Sequence, residues 1–562
     1  MIESKNNSSQ IIHSNQSTQS IHSSYNTYTN INCKNQQNNL LSPSPHLPLE
    51  ILLEIFHYGG NHDPKQLHSC LLVNRDWFNS ASLIIWARPF DIVSIMNSAK
   101  LIEIYFMFFS KEIKDDMMIN HNIDVSTGNQ SPTINYLSLL RHIDFKNVYR
   151  AVRIWIRCKS LHEPFDLNVK RIQTKQANQL MNELGKLFSN GSARINKLSL
   201  DIRHFEHYID EDSIDFKSWP CYSGEYSGSY DKSLCQLREF VCGGKFSKNT
   251  IIFGLTKTCE EIESITIEDS SETSSEFLAN LMKNQRRLQQ FVLSNWKSDS
   301  KCILSSLAKT KALRHIEFIG CDFPENDDDD DCKNYFDGLI KCINLETLKF
   351  EQCKNLSTKL MKPFIKAEFR NLTKLHFDND SNPADPPTIE LQSIIVNAKD
   401  SLKEIFFNIQ LSLHVDILDT VATNCPKLKK LSVNIENESE IRHLTALFQH
   451  CKHLLELRIS RKKYPPFSIG KQTLVELGAV IPPSLKKLEL LGFTFEVSTW
   501  TAFLDQCPGS INCFVFNCLK QQQSYIKTVS DYANRHNKII KNDPYIEIPE
   551  YVSLELENKN HL

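Results

Sequence analysis

From residue 193 onward the chain repeats one hexad of alternating character, apolar-x-x-apolar-x-apolar. Copies begin at Ile195, Leu237, Ile262, Leu288, Leu313, Leu345, Leu372, Leu402, Leu428, Leu454, Leu485 and Ile511. After a first gap of 42 residues the steps are 25, 26, 25, 32, 27, 30, 26, 26, 31 and 26. An earlier match, LRHIDF at 140, reads as an irregular first copy. In each hexad the fourth and sixth residues alternate with polar ones. That is the period of a short strand, with those two side chains pointing inward. Helical patterns lie between the hexads. In VDILDTVATNCP at 415–426, Val415, Leu418 and Val421 share one face; in IRHLTALFQHC at 441–451, Ile441, Leu444 and Leu447 or Phe448 do. A single strand–helix unit leaves an apolar face bare, so neighbouring units must stack.

Upstream the pattern changes. Residues 1–45 are rich in Ser, Asn and Gln, and offer too little apolar surface to offset the cost of ordering them; disorder is predicted there. SPSPHLP at 42–48 closes that segment. Residues 46–90 form a compact apolar segment with helical stretches at 48–58, 66–74 and 75–85, the first two separated by turn chemistry in HYGGNHDPK. In LPLEILLEIF at 47–56 apolar residues recur at Leu49, Leu52 or Leu53, and Phe56, with Pro48 where a helix start tolerates it. Residues 91–192 read as a helical linker and irregular first repeats. DIVSIMNSAKLIEIYFMFFSKEI and QANQLMNELGKLFSN suggest helices, NIDVSTGNQSPT a loop, and YLSLLRHIDF and AVRIWIRC strands. The regular repeats occupy 193–518, and 519–562 form a C-terminal cap or tail.

A period near 26 with strand–helix alternation predicts a leucine-rich-repeat solenoid. The fold class is then α/β: an N-terminal three-helix module, then a curved solenoid with short parallel strands on its concave face and helices on its convex face. Cys259, Cys342, Cys425 and Cys451 each sit three residues before a hexad, and Cys321 and Cys353 eight residues after the start of one. These runs resemble the cysteine-containing class of leucine-rich repeats. The resemblance implies buried thiols that satisfy loops rather than catalytic nucleophiles.

Composition narrows the function. The chain has 562 residues, 41% hydrophobic, with 64 basic and 66 acidic side chains and a formal net charge of -2. No global field or basic-aromatic patch points to nucleic acid. The start, MIESKNNSSQ, has no apolar run of signal-peptide length, and LIEIYFMFF at 101–109 is too short to span a bilayer. No membrane partner is expected, and the cytoplasm, the nucleus or both is the expected compartment. The 17 cysteines include no CxxC pair, so zinc is not expected and the thiols read as reduced.

Candidate chemistry is thin. ENDDDDD at 325–331 lacks the alternating ligands, central Gly and final Glu of a calcium loop and reads as a solvated insertion. CGGKF at 242–246 fails the phosphate-loop spacing, and GEYSGSY at 224–230 misplaces the serine of a nucleophile elbow. No catalytic residue, metal or cofactor is expected. Surface recognition remains. On the concave face the third and fifth hexad positions include Lys374, His376, Glu404, Phe406, Lys430, Arg458, Lys487 and Glu489, with Lys403, Lys429 and Lys486 beside them at the rim. This half leans basic. It reads either as a site for an acidic or phosphorylated segment or as a solvated face of mixed charge. Phe406 either anchors a partner or packs on its neighbour.

The segment at 46–90 resembles an F-box. The matching residues are Leu47, Pro48, Glu50, Ile51, Leu52, Ile55, Phe56, Cys70, Leu72, Val73, Asn74, Trp77, Ala81, Trp86 and Pro89. The segment departs from the family at Gly59, Gly60 and Asn61, where a leucine and an acidic-leucine pair are usual, so Leu67 must supply the apolar contact. With the repeats behind it, the chain is similar to the F-box/leucine-rich-repeat substrate receptors. The resemblance implies docking on the adaptor subunit of an SCF-type cullin-RING ubiquitin ligase, and through it on the cullin and RING subunits. Adaptor contacts are expected from Leu47, Pro48, Leu49, Glu50, Ile51, Leu52, Ile55, Phe56, Leu72, Val73, Trp77 and Trp86. Burying one such large apolar side chain is worth roughly 1.5–3 kcal/mol. Which of Leu49, Leu52, Leu53 and Phe56 face the adaptor, and which the module core, is open at this stage. The repeats would hold a target protein, and the chain itself would do no bond chemistry. The alternative is a scaffold of the same architecture without a degradative role.

Overall fold

A computed structural model of the protein describes residues 47–558, apart from 63, 126–131, 133, 160–166, 190–191, 206–213, 215–231, 247, 269–272, 325–333, 380–386, 409–414, 462–465, 518–521, 542–544 and 549–550. The chain divides into two compact units, with the boundary between Val93 and Ser94.

The first unit holds α1 (Leu49–His62), α2 (Pro64–Cys70), α3 (Arg75–Ala87) and α4 (Pro89–Ile92). The first α1 hydrogen bond runs from the Leu52 amide to the Pro48 carbonyl at 3.1 Å, and Glu50 sits in the first turn, where the helix dipole favours a carboxylate. Asn74 caps α3 by accepting from the Trp77 amide at 2.9 Å. One expectation is corrected here: α1 continues through Gly59, Gly60 and Asn61 instead of turning at them. The glycines weaken the helix without ending it. The next helix, α2, starts at Pro64, a residue type that a helix start tolerates.

In the second unit, helices Ile95–Phe106, Lys111–His121, Phe145–Lys159 and Leu167–Ser189 precede the regular repeats. AVRIWIRC therefore lies within a helix, not a strand. Val148, Val152, Trp155 and Ile156 are buried at spacings of three and four, while the alternating V-R-I-W-I-R run mimics a strand. YLSL forms a short helix, Tyr136–Leu139, and only the end of that segment is extended, as β1 (His142–Asp144).

Strands follow one per hexad: β2 (Lys197–Asp201), β3 (Glu239–Gly243), β4 (Ser264–Glu268), β5 (Gln290–Ser294), β6 (His315–Ile319), β7 (Thr347–Cys353), β8 (Lys374–Asn379), β9 (Glu404–Phe407), β10 (Lys430–Asn434), β11 (Glu456–Ser460), β13 (Lys487–Leu491) and β15 (Cys513–Asn517). Two-residue strands β12 (Phe467–Ser468) and β14 (Phe493–Thr494) pair separately. From β1 to β15 the main sheet is parallel and follows chain order. The chain then adds β16 (Lys538–Ile540), β17 (Tyr545–Ile548) and β18 (Tyr551–Asn558), with β18 antiparallel to β15.

The first, fourth and sixth residues of all twelve hexads are at most 2% exposed. Facing them are helix residues such as Leu418 and Val421, and Ile441, Leu444, Leu447 and Phe448, all buried. This is a leucine-rich-repeat solenoid. At the 32-residue step the core thickens with rings: Phe318 stacks on Phe350 at 5.2 Å, and Phe336 lies 5.6 Å from Phe323 and 5.1 Å from Phe364. In sequence, Phe323 and Phe336 flank the ENDDDDD insertion, which itself lies outside the described residues.

Candidate functional site

Two surfaces can act on partners. The first belongs to the three-helix module. Its core is Leu52, Leu53, Phe56, Leu67, Ala81 and Ile84, with Cys70, Leu71, Trp77, Leu83, Ile85 and Ile92 packed around it. Phe56 meets Trp77 edge to face at 5.0 Å. The core closes without the opposite face of α1, which carries Ile51, Ile55 and Tyr58, 42%, 49% and 73% exposed. Leu47, Leu49, Leu72, Val73 and Phe78 are exposed as well. Pro48 and Glu50 are exposed, and Trp86 is half-buried.

This sorts the residues expected to meet an adaptor. Leu52 and Phe56 are corrected: they point into the module's own core, where a partner cannot reach them. Trp77, half-buried, spends a face on Phe56. Tyr58 and Phe78 were not singled out by sequence reasoning. Tyr58 follows Ile51 and Ile55 by seven and three residues, so reading a second helical face would have found it.

The second surface is the outward face of the sheet. Register places Lys374, Glu404, Lys430, Glu456 and Lys487 side by side across β8, β9, β10, β11 and β13. Lys374 pairs with Glu404 at 3.3 Å, Lys430 with Glu456 at 3.0 Å, and Lys487 with Glu489 at 2.7 Å. Arg458 also reaches Glu489, at 3.5 Å. The basic side chains of this row are thus each paired with a carboxylate, and the rim residues Lys403, Lys429 and Lys486 lie outside these pairs. Phe406 packs on His376, their ring centroids 4.0 Å apart, which decides between its two readings in favour of the neighbour. Burial, with the nearby Lys349 charge, pushes the His376 imidazole down to about 4.

At the other end of the sheet the Arg203 guanidinium crosses over Gly243 and bridges Asp201, at 2.8 Å, and Glu268. A Cβ on Gly243 would stand 3.3 Å from the Arg203 Nε. The next residue, Gly244, has φ +102°. Its carbonyl accepts a 2.7 Å hydrogen bond from the buried ammonium of Lys248. The glycine pair of CGGKF therefore serves packing and a turn. GEYSGSY lies outside the described residues.

The repeat cysteines satisfy carbonyls of the preceding unit. Cys259 donates to Leu234 at 3.2 Å, Cys321 to Leu293 at 3.2 Å, Cys353 to Phe318 at 3.3 Å, Cys342 to Leu307 at 3.6 Å and Cys451 to Cys425 at 3.3 Å. Burial pushes the Cys259, Cys342 and Cys425 thiols up to about 12, which keeps them protonated and poor nucleophiles. Among the described residues no cluster of His, Cys, Asp and Glu is placed to hold a metal, and no helix is long and apolar enough to cross a membrane.

A family model described as F-box-like matches residues 44–91. Residues 44–91 are an F-box-like domain. The chain thus joins that domain to a leucine-rich-repeat solenoid, two modules of protein interaction. Among solved structures, the leucine-rich-repeat-containing protein LegL7 from Legionella pneumophila is similar at 15% identity and a TM-score of 0.29, over 48% of this chain and 90% of that one. A similarity that low carries no weight; the solenoid assignment rests on the in-register sheet and its repeat. No curated protein matches the chain.

Proposed function

We propose that the protein is the substrate-recognition subunit of an SCF-type ubiquitin ligase, with the F-box-like domain on the adaptor and the repeats on a target protein. The observation that carries this reading is the second apolar face of α1. Ile51, Ile55 and Tyr58 stand exposed on a module whose core is complete without them. Large apolar side chains at the spacing of one helix face suit an amphipathic docking surface.

The mechanism is positional. An adaptor-bound receptor holds its target beside a ubiquitin-charged enzyme, and so raises the effective concentration of the target's lysines. The chain contributes binding and orientation, and the bond chemistry belongs to its partners.

Co-purification with the ligase adaptor tests this. Replacing Ile51 and Ile55 by serine should abolish adaptor binding and leave thermal unfolding unchanged. Adaptor binding that survives the double substitution removes α1 as the docking face. A scaffold without degradative role would bind the adaptor, yet its removal would leave the level of its bound target unchanged.

A further inference from the structure

The turns that lead into the strands change character along the solenoid. Up to β8 they hold ion pairs between neighbouring turns, beside the exposed Lys309, Lys311, Lys341 and Lys366. Arg238 pairs with Glu261 at 2.9 Å, Arg286 with Glu260 at 2.7 Å, Arg287 with Glu261 at 3.1 Å and Arg314 with Glu346 at 2.5 Å. From β9 to β13 the same turns carry Lys399, Lys403, Lys427, Lys429, Lys452 and Lys486, all exposed. None of the six forms an ion pair among the described residues, and Asp400 is the single carboxylate in these turns among them.

The backbone fixes their spacing. The Lys429 amide donates to the Lys403 carbonyl, Leu455 to Lys429, and Lys486 to Leu455, each at 2.7 Å. Lys403, Lys429 and Lys486 therefore stand in register, one strand step apart and then two. Three steps of about 4.8 Å make a strip about 14 Å long. Neighbouring cations on it lie within or near a Debye length of about 8 Å, so they repel one another until an anion arrives. The carboxylates of Glu404 and Glu456, one residue further along their strands, are paired with Lys374 and Lys430 rather than with the strip.

We propose that this lysine rim docks an acidic segment of the target protein: four to five residues rich in Asp and Glu, lying extended along the strip. The length follows from about 3.3 Å of extended chain per residue over that span. Lysine favours carboxylates here, as a compact point charge. The bidentate fork that suits phosphate belongs to arginine, and the paired arginines lie on the other half of the rim. The strip also carries no aromatic side chain on which nucleic-acid bases could stack. The identity of the occupant as a target segment rests on the receptor reading; the strip itself does not.

The test uses the full chain and fluorescein-labelled octapeptides in anisotropy titrations. One peptide alternates Glu and Asp, one alternates Gln and Asn, and one carries phosphoserines. Single-stranded oligothymidine and phosphatidylserine-containing vesicles complete the set. The acidic peptide should bind, and binding should weaken as salt rises from about 50 to about 500 mM. Lys403→Glu, Lys429→Glu and Lys486→Glu together should weaken it roughly tenfold or more. The same reversal at the exposed Lys170, Lys175 and Lys283 should leave it within about twofold. No binding by the unaltered chain, binding unchanged by rim reversal, or tighter binding of phosphopeptide, oligonucleotide or vesicles overturns the inference. Adaptor co-purification runs in parallel. Loss of the adaptor with rim-dependent peptide binding retained sinks the ligase reading and leaves the strip standing.

Discussion

The imidazole of His376 on β8 lies against the ring of Phe406 on β9, with centroids 4.0 Å apart and Nε2 buried without a hydrogen-bond partner. Protonation would place a cation in a site that offers that nitrogen nothing to donate to. Lys349 opposes the charge and Glu351 favours it, but burial dominates, and the imidazole titrates near 4 against an ordinary 6.5. The folded state therefore binds this proton less readily than the unfolded chain. Stability is complete above pH 6.5 and declines as pH falls toward 4. The loss should be about 1–3 kcal/mol across that window. Thermal unfolding of His376→Gln should show a flatter pH profile there. An unchanged slope would mean that other groups govern it.

The three-helix module separates core from surface. Leu52→Ala should cost the module about 2–5 kcal/mol, the range for emptying a buried leucine site. Ile55→Ser, at a side chain 49% exposed, should stay within about 0.5 kcal/mol. Amide exchange over 49–87 reads both. Equal protection loss in the two variants would show that the outer face of α1 also supports the fold.

Glycines give a matched pair. A Cβ at Gly338 would stand 1.9 Å from the Leu304 carbonyl oxygen, where backbone blocks it. Gly338→Ala should therefore cost about 1–3 kcal/mol or more. A Cβ at Gly59 meets only the Gln66 Oε1 at 3.6 Å, inside a helix. Gly59→Ala should stabilise by about 0.5–1 kcal/mol. Denaturant midpoints check both signs.

The hexads were legible because every apolar position in them is used, and one sixth-position residue is as buried as the next. AVRIWIRC was not, because a short run can satisfy period two and period 3.6 together until its neighbours are counted. Leu52 and Phe56 were assigned to the partner because α1 has two apolar faces, and a sequence does not say which one its own module consumes. The pairing of Lys374 with Glu404 was hidden for a different reason. The partners are 30 residues apart, and only register brings them within 3.3 Å. Charge on a solenoid face is thus a property of neighbouring repeats, and a tally along one strand misreads it.

The cysteines carry the same point into chemistry. Cys158, Cys235 and Cys302 are exposed, whereas Cys259, Cys342, Cys425 and Cys451 are buried. Burial pushes the first three of these up to about 12 and Cys451 to about 11, and a thiol alkylates through its thiolate. At pH about 8, iodoacetamide should modify the exposed set within minutes and leave the buried set untouched until denaturant is added. Peptide mass spectrometry resolves each site. Modification of Cys259 or Cys451 at the rate of Cys302 in the folded chain would mean that neighbouring repeats part readily. The thiol–carbonyl contacts would then be too transient to fasten one unit to the next.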